Sequence, residues 1–443
     1  MAAVSAAQQE PNAEVTVVTK DRLPYRRPGI PALIAGNITG AEGACIFGDE
    51  ILGRYHINLI CPAEVTQIDT KDRTVSFDSA GKKGRAGYDG LVLATGGHPL
   101  IPNIAGVDKR GVCTFTTYEG AAEIVEEARR AASAVVVGAG FIALEIAEAL
   151  IHKGLGVYFN VRSRVLRKLL EPDLSELLSK KFEQQGLRML TAESISEIGG
   201  GEHVEYVVHR GKKMAADFVV MGAGVRPNVA LAEKCGIELG ATGAIRVDGS
   251  MQTSVEGIYA AGDCAESPDL GSGRFVYSPV GSIGACAGRI AGSNAAGGKV
   301  ESAGFLRAQA DEIFGVQVFT LGHSTTTAKE VGLKVGVHEL VAPKTNGVRA
   351  RASGFEAARI LIDGKDRIVG AQLISRRHGA QFACQLYQAV MNLEGREQFL
   401  ARFHWPRARM AEALLNAAEA TIVVRGAGQG KALALADRVG EEV

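Results

Sequence analysis

Apolar positions along this chain come in short runs separated by glycine-rich turns. Ala134–Gly138 (Ala-Val-Val-Val-Gly) is a continuous apolar run of strand length. A glycine turn follows, then Phe141-Ile-Ala-Leu-Glu145 opens a helical stretch, and Gly156–Arg162 (Gly-Val-Tyr-Phe-Asn-Val-Arg) reads as a second strand. The same order recurs at lower resolution. Glu14–Lys20 and Asp89–Gly97 are predicted strands, and they are mirrored downstream by Gly156–Arg162 and Asp217–Gly224. The chain therefore reads as α/β, with two related units. A further strand within Thr253–Ala265 ends on Gly262-Asp263. From about Gly304 the pattern changes: Phe314–Gly322 alternates, and Arg359–Ile374 predicts two strands around a turn built on Asp363-Gly364. Helical patterns near 380–392 and 406–420 complete an α+β unit, and 426–443 is weakly patterned, as a tail would be.

Composition narrows the classes. The 443 residues carry 49 basic and 49 acidic side chains, so nothing points to nucleic acid or to an anionic membrane. At roughly 150 residues per domain, about three domains are expected. No apolar run approaches the ~18 residues of a membrane span, and the first residues lack the basic region of a signal peptide; the expectation is a cytoplasmic protein. The seven cysteines are scattered, without C-x-x-C spacing, which argues against a zinc site, a disulfide framework or a dithiol centre.

The chemistry begins at Gly138-Ala-Gly140-Phe-Ile-Ala143, a G-x-G-x-x-A loop between a strand and a helix. In a dinucleotide-binding βαβ unit the first glycine permits the tight turn and the second lets the backbone approach a pyrophosphate. A small third residue keeps helix and sheet close, and the helix N-terminus offers N–H groups to the phosphates. The competing reading is an ordinary glycine turn.

Four motifs in one order, Ala94-Thr95-Gly96, Gly138-x-Gly140-x-x-Ala143-Leu-Glu145, Gly222-Ala-Gly-Val-Arg-Pro227 and Ala261-Gly262-Asp263, resemble the two-dinucleotide flavoproteins of the pyridine nucleotide-disulfide oxidoreductase superfamily. The resemblance covers nearly the whole chain. It implies two Rossmann-like domains: an FAD domain from 1–106 and 236–304, split by an inserted NAD(P) domain at 107–235. A C-terminal α+β interface domain at 305–425 and a homodimer are implied as well. By the same resemblance Asp263 hydrogen-bonds the FAD ribityl chain, Phe141 covers the flavin until nicotinamide displaces it, and Glu145 orients the nicotinamide. The competing readings are a helix N-cap for Asp263 and core packing for Phe141 and Glu145.

The start of the chain departs from that pattern. Residues 1–11 read as a helix before the strand at Val15, and the strand and glycine loop that precede such a helix in a βαβ unit are not in the sequence. One expectation is that Met1 is internal and that about 10–15 further residues precede it; the other is a degenerate FAD site. The acidic residue expected at the end of the first strand, on the adenosine ribose of FAD, is replaced by Thr19, with Lys20 beside it.

At the end of the second strand of the NAD(P) unit the chain reads Asn160-Val-Arg162-Ser-Arg164, without a carboxylate. Arg162 and Arg164 suit a ribose 2′-phosphate, so NADPH is favoured and NADH stays open; the competing reading is surface arginines. Relatives that use a thiol carry a cysteine shortly after the first unit. Here Pro24-Tyr-Arg-Arg27-Pro28-Gly-Ile-Pro-Ala32 puts Pro28 at that place. Tyr25-x-Arg27-Pro28-x-Ile30 is more similar to ferredoxin and rubredoxin reductases, though Ala32 stands where they carry lysine, and Arg27 is counted with the cofactor-binding residues. His404-Trp-Pro…Glu412 has different spacing from the acid–base segment of lipoamide-type reductases and reads as interface packing around Trp405. Three readings follow: an FAD-dependent NAD(P)H oxidoreductase with an unidentified acceptor, oxygen included; a reductase serving an iron–sulfur protein; or a nucleotide-binding structural or sensing subunit that has lost flavin.

Overall fold

The computed structural model describes residues 1–22, 29–38, 49–340, 355–375 and 379–395. Arg27, Pro28, Cys45, the helix expected at 406–420, the His404–Glu412 segment and the tail lie outside the described residues.

The inserted unit is built on a five-stranded sheet in the spatial order Arg188–Leu190, Gly156–Asn160, Ser133–Gly138, Phe218–Gly222, Val112–Thr114, parallel at every pairing. Ala134, Val135 and Val136 are wholly buried, as a strand covered on both faces requires, and this is why the run is continuously apolar rather than alternating. The helix Tyr118–Arg130 starts at Thr117, whose hydroxyl accepts the Gly120 N–H at 3.1 Å, and carries Arg129 and Arg130 in its last turn, where cations suit the helix dipole. The helix Phe141–His152 is buried around most of its circumference, between the sheet and the helix Ile30–Ala35.

The unit that flanks it has parallel pairs too. Val15–Val18 pairs with Ile57–Ile60, and Leu91–Leu93 with Ile258–Ala260, as two separate two-stranded sheets. The helix Ala2–Gln9 lies against the long helix Gly281–Ala295, whose Gly288 and Gly292 leave room for the backbone of Ala2.

Both units also carry a small antiparallel meander that the hydrophobic pattern does not reveal: Glu64–Asp69, Thr74–Ser79, Lys82–Gly87 in one, and Glu197–Gly199, Tyr206–His209, Lys212–Ala215 in the other. One outer strand of each, Lys82–Gly87 and Lys212–Ala215, is polar and largely exposed, so it lacks an apolar period.

The last unit is a five-stranded antiparallel sheet, ordered Ala308–Ile313, Val316–Gly322, Ile368–Ser375, Phe355–Asp363, Val335–Leu340, with the helices Thr325–Glu330 and Gly379–Met391. The turn expected on Asp363-Gly364 is longer than a two-residue hairpin. Asp363 accepts the N–H groups of Lys365 and Arg367, both at 2.9 Å, and the left-handed residue is Asp366 (φ 60°) rather than the glycine. Ile313, Val316, Val318 and Ile374 of this sheet join the same core as the helix Phe141–His152.

Candidate nucleotide and flavin site

The glycine loop separates two jobs. Gly138 pairs with Gly222 across the sheet, and a Cβ on Gly138 would lie 2.5 Å from the Gly222 carbonyl oxygen and 2.8 Å from the Ala143 methyl group. Gly138 has no positive φ, so close packing rather than a strained turn requires glycine there. A Cβ on Gly222 would lie 3.0 Å from the same methyl, and Ala143 therefore sits as a spacer between strand ends and helix. Gly140 differs. Its φ of −93° and ψ of 172° suit any residue, and a Cβ there would meet nothing within 4 Å. The protein itself does not need glycine at 140. The position opens on free space at the start of a helix with no side-chain cap, which fits the approach of a pyrophosphate to the helix N–H groups. Phe141 begins that helix and is buried in the core cluster; Glu145, one turn on, is half-buried.

A second feature joins the Ala94-Thr95-Gly96 turn to the Gly222–Pro227 segment. Gly97–Pro99 pairs antiparallel with Val225–Pro227. Beyond that pair, Asn228 donates from Nδ2 to the Thr95 carbonyl at 2.8 Å and from its backbone to the Gly96 carbonyl at 2.9 Å. The Thr95 hydroxyl donates to the Asn228 carbonyl at 2.6 Å, and His98 Nδ1 lies 2.7 Å from Asn228 Oδ1. Sequence reasoning did not single out Asn228. The signal was its place directly after the Gly-Val-Arg-Pro segment.

Gly262 follows the strand Ile258–Ala260 with φ 82°, and a Cβ on it would meet nothing within 4 Å. Asp263 is half-buried in the turn that closes with the Ala265 N–H on the Gly262 carbonyl at 3.1 Å. Asp263 is not an N-cap, because the next helix begins at Gly281 with Val280 in that place. That helix N-terminus is itself uncapped by a side chain and approaches this turn: a Cβ on Gly284 would lie 3.2 Å from the Gly262 Cα. Nearby in the chain, Ser278 Oγ is buried without a hydrogen-bond partner among the described residues. Open ground at a left-handed glycine, a carboxylate at a strand's carboxyl end, an uncapped helix start and an orphaned hydroxyl fit a polar chain and pyrophosphate such as those of FAD. Thr19 and Lys20 follow the strand Val15–Val18; the Thr19 hydroxyl already accepts the Asp21 N–H at 3.3 Å, and Lys20 is exposed.

At the edge of the nucleotide unit, Asn160 is committed inward. Its Nδ2 donates to the carbonyls of Leu190 and Glu193 at 3.1 and 2.8 Å, and its Oδ1 accepts the Ile195 N–H at 3.1 Å. Arg162 is exposed. The pairing of Arg162 with Arg164 is not seen as such. Arg164 Nη2 faces the Arg167 carbonyl at 3.2 Å and the Leu170 carbonyl and Thr326 hydroxyl at 3.4 Å, because the chain turns back under it; its Nε is buried without a partner among the described residues.

Four of the described cysteines are held in the thiol form by burial. Cys264, beside Asp263, is wholly buried, with its S–H on the carbonyls of Leu93 and Ala261 at 3.4 Å, and burial pushes its pKa up. Burial likewise raises Cys113, Cys235 and Cys384. A cleft of about 570 Å³ lined by Glu10, Asp89, Gly257, Tyr259 and Gly297 lies at the amino ends of Leu91–Leu93 and Ile258–Ala260, the opposite end from Gly262-Asp263. Cofactors of open α/β sheets bind at the carboxyl ends, so that cleft lies at the end opposite to the one they use. Among the described residues no helix is long and apolar enough to cross a membrane.

Residues 1–275 match the family model described as pyridine nucleotide-disulphide oxidoreductase. The chain is 33% identical over 379 residues to an NADH oxidase of Methanocaldococcus jannaschii, covering 84% of this chain and 81% of the relative. It is 35% identical over 311 residues to the CoA-dependent NAD(P)H sulfur oxidoreductase of Pyrococcus furiosus, covering 69% and 70%. The solved structure of an NAD-dependent persulfide reductase from A. fulgidus superposes with a TM-score of 0.82 at 29% identity, over 90% of this chain and 75% of that one. The chain belongs to the pyridine nucleotide-disulphide oxidoreductase family and is an FAD-dependent NAD(P)H oxidoreductase with Rossmann-type nucleotide units.

Proposed function

We propose that this oxidoreductase passes electrons from NAD(P)H through FAD to its acceptor without a redox-active thiol. The observation that carries this reading is chemical: Pro28 occupies the place of the thiol in cysteine-using relatives, and the cysteine nearest the flavin turn, Cys264, is buried with its S–H on carbonyl oxygens. Bound FAD supplies two-electron acceptance from a nicotinamide and return of those electrons to an acceptor.

The chain's own residues bind and orient. Gly140 and the start of its helix take the nucleotide pyrophosphate, and Gly138, Ala143 and Gly222 hold that helix against the sheet. Phe141 covers the flavin until nicotinamide displaces it, and Glu145 orients the nicotinamide. Ala94, Thr95, Gly96, Gly262 and Asp263 take the flavin side, with Thr19 and Lys20 toward its adenosine end. Arg162 takes the 2′-phosphate, so NADPH is the preferred donor. The domains divide at 1–106 with 236–304, 107–235 and 305–425, and the C-terminal sheet serves a homodimer in the cytoplasm. The names of two relatives, NADH oxidase and NAD(P)H sulfur oxidoreductase, support including oxygen and sulfur compounds among the acceptors to be tried. The Tyr25-x-Arg27-Pro28 segment favours a second acceptor class, a small iron–sulfur protein.

The test replaces all seven cysteines by serine or alanine and follows anaerobic flavin reduction by NADPH, then reoxidation by oxygen, a quinone dye, polysulfide and an iron–sulfur protein. Turnover per bound flavin is expected to survive. Loss of turnover in a folded variant, restored by returning one cysteine, overturns the thiol-free route.

A further inference from the structure

The loop that follows the strand Gly156–Asn160 is fastened on two sides, to the glycine loop and to the C-terminal domain. Toward the glycine loop, the Leu166 N–H donates to the carbonyl of Ala139, between Gly138 and Gly140, at 2.6 Å. Leu166 has φ 50°, a conformation that a side chain of its size keeps only where the surroundings hold it. The turn closes behind it, with the N–H groups of Leu169 and Leu170 on the Leu166 carbonyl at 2.7 and 2.9 Å.

The other side is held by Glu171. This residue stands at the N-cap of the helix Pro172–Gln184 but gives that helix no side-chain hydrogen bond. Its buried carboxylate reaches instead into the C-terminal domain, where it accepts the Thr325 N–H at 2.9 Å, the Thr325 hydroxyl at 2.8 Å and Gln372 Nε2 at 3.2 Å. Gln372 returns the contact by accepting the Glu171 N–H at 2.7 Å. The Ser324 hydroxyl donates to the Lys168 carbonyl at 2.9 Å in the same patch. A buried carboxylate with all its partners in another domain fixes one docking geometry, because a shift of either side leaves a charge without hydrogen bonds in a dry place.

The domains do not need Glu171 to stay together. Lys181 pairs with Glu356 and Arg359 with Asp173, and Ile313, Val316 and Ile374 share a core with the nucleotide unit. What Glu171 adds is local: it sets the segment that ends on the Ala139 carbonyl and carries Arg162 at its start.

We propose that the C-terminal domain positions the nicotinamide nucleotide loop through Glu171, which acts as a positioning residue for NAD(P)H. This rests on reading Gly138–Gly140 and Arg162 as the NAD(P)H site. Release of Glu171 loosens Leu166 and its bond to Ala139, and the pyrophosphate loop loses its preset shape.

The experiment uses the FAD-loaded full chain. Glu171→Ala is expected to raise KM for NADPH about tenfold or more, with kcat, flavin content and KM for a quinone dye unchanged. Glu171→Gln, which keeps an acceptor for the Thr325 N–H, is expected to recover most of the loss. Lys181→Met, which removes a domain contact remote from the loop, is expected to leave KM alone. Should Glu171→Ala fail to fold, Thr325→Val is expected to raise KM in the same sense by less. An unchanged NADPH KM in folded Glu171→Ala or Thr325→Val overturns the proposal, as does an equal rise in Lys181→Met. Gly140→Val separates this from failure of the underlying site: if that variant is reduced by NADPH at the normal rate, the nucleotide reading is what fails.

Discussion

The Glu148 carboxylate accepts the backbone N–H of Phe314 at 2.8 Å, joining the nucleotide helix to the hairpin turn of the C-terminal sheet. Burial, opposed by the Phe314 N–H and reinforced by nearby Asp311 and Glu312, pushes this carboxyl up to about 7. A carboxyl raised in the folded state contributes most below its ordinary pKa, and that contribution is lost as pH rises through about 7. Stability should therefore fall across that window by up to about 3 kcal/mol from this group. In Glu148→Gln the fall should be absent. Denaturant unfolding of both proteins at about pH 5 and about pH 8 reads it, and an identical pH response in the two would show that Glu148 stays ionised.

Gly138→Ala and Gly140→Ala should fail in opposite ways. The first sets a methyl group 2.5 Å from the Gly222 carbonyl oxygen, a close approach expected to cost about 1–3 kcal/mol of stability. The second meets nothing in the protein, so its melting temperature should hold while nucleotide affinity drops. Thermal melts paired with NADPH titrations test both, and a Gly140→Ala protein that binds normally would remove the pyrophosphate from that position.

Asp263→Ala should release flavin. Losing a charged acceptor at the carboxyl end of the strand Ile258–Ala260 is expected to cost about 1.5–3 kcal/mol of FAD binding, or roughly ten- to a hundredfold in affinity. Flavin retained after exhaustive dialysis measures it, and wild-type retention would move the ribityl contact elsewhere.

Arg162 and Arg164 should separate. Arg162 is exposed, so Arg162→Ala should weaken NADPH roughly ten- to a hundredfold and spare NADH. Arg164 braces the carbonyls of Arg167 and Leu170, so Arg164→Ala should affect both nucleotides alike. Steady-state kinetics with each donor decide, and a shared effect for Arg162 would make it a surface charge.

The nucleotide unit was legible because its strands are buried on both faces. Ala134–Val136 had to be apolar without a break, and Gly138, packed against Gly222 and Ala143, had to be small, so period, turn and helix were written in one stretch. Three of the five C-terminal strands were legible too, Val316–Gly322 by its alternation and the pair around Asp363 by its apolar runs, while Ala308–Ile313 and Val335–Leu340, only partly buried, were not. The two meanders were not, since exposed polar strands such as Lys212–Ala215 need only their neighbours' hydrogen bonds. Nor did sequence alone separate the roles of Gly138 and Gly140, because a glycine demanded by a facing carbonyl and one left open for a ligand are the same letter. Tertiary structure decided that, and it turned Arg164 onto the carbonyls of its own loop and sent Glu171 to Thr325 and Gln372. Those partners lie 154 and 201 residues away, and a side chain's choice among such distant hydrogen-bond groups is made only when the domains close on one another.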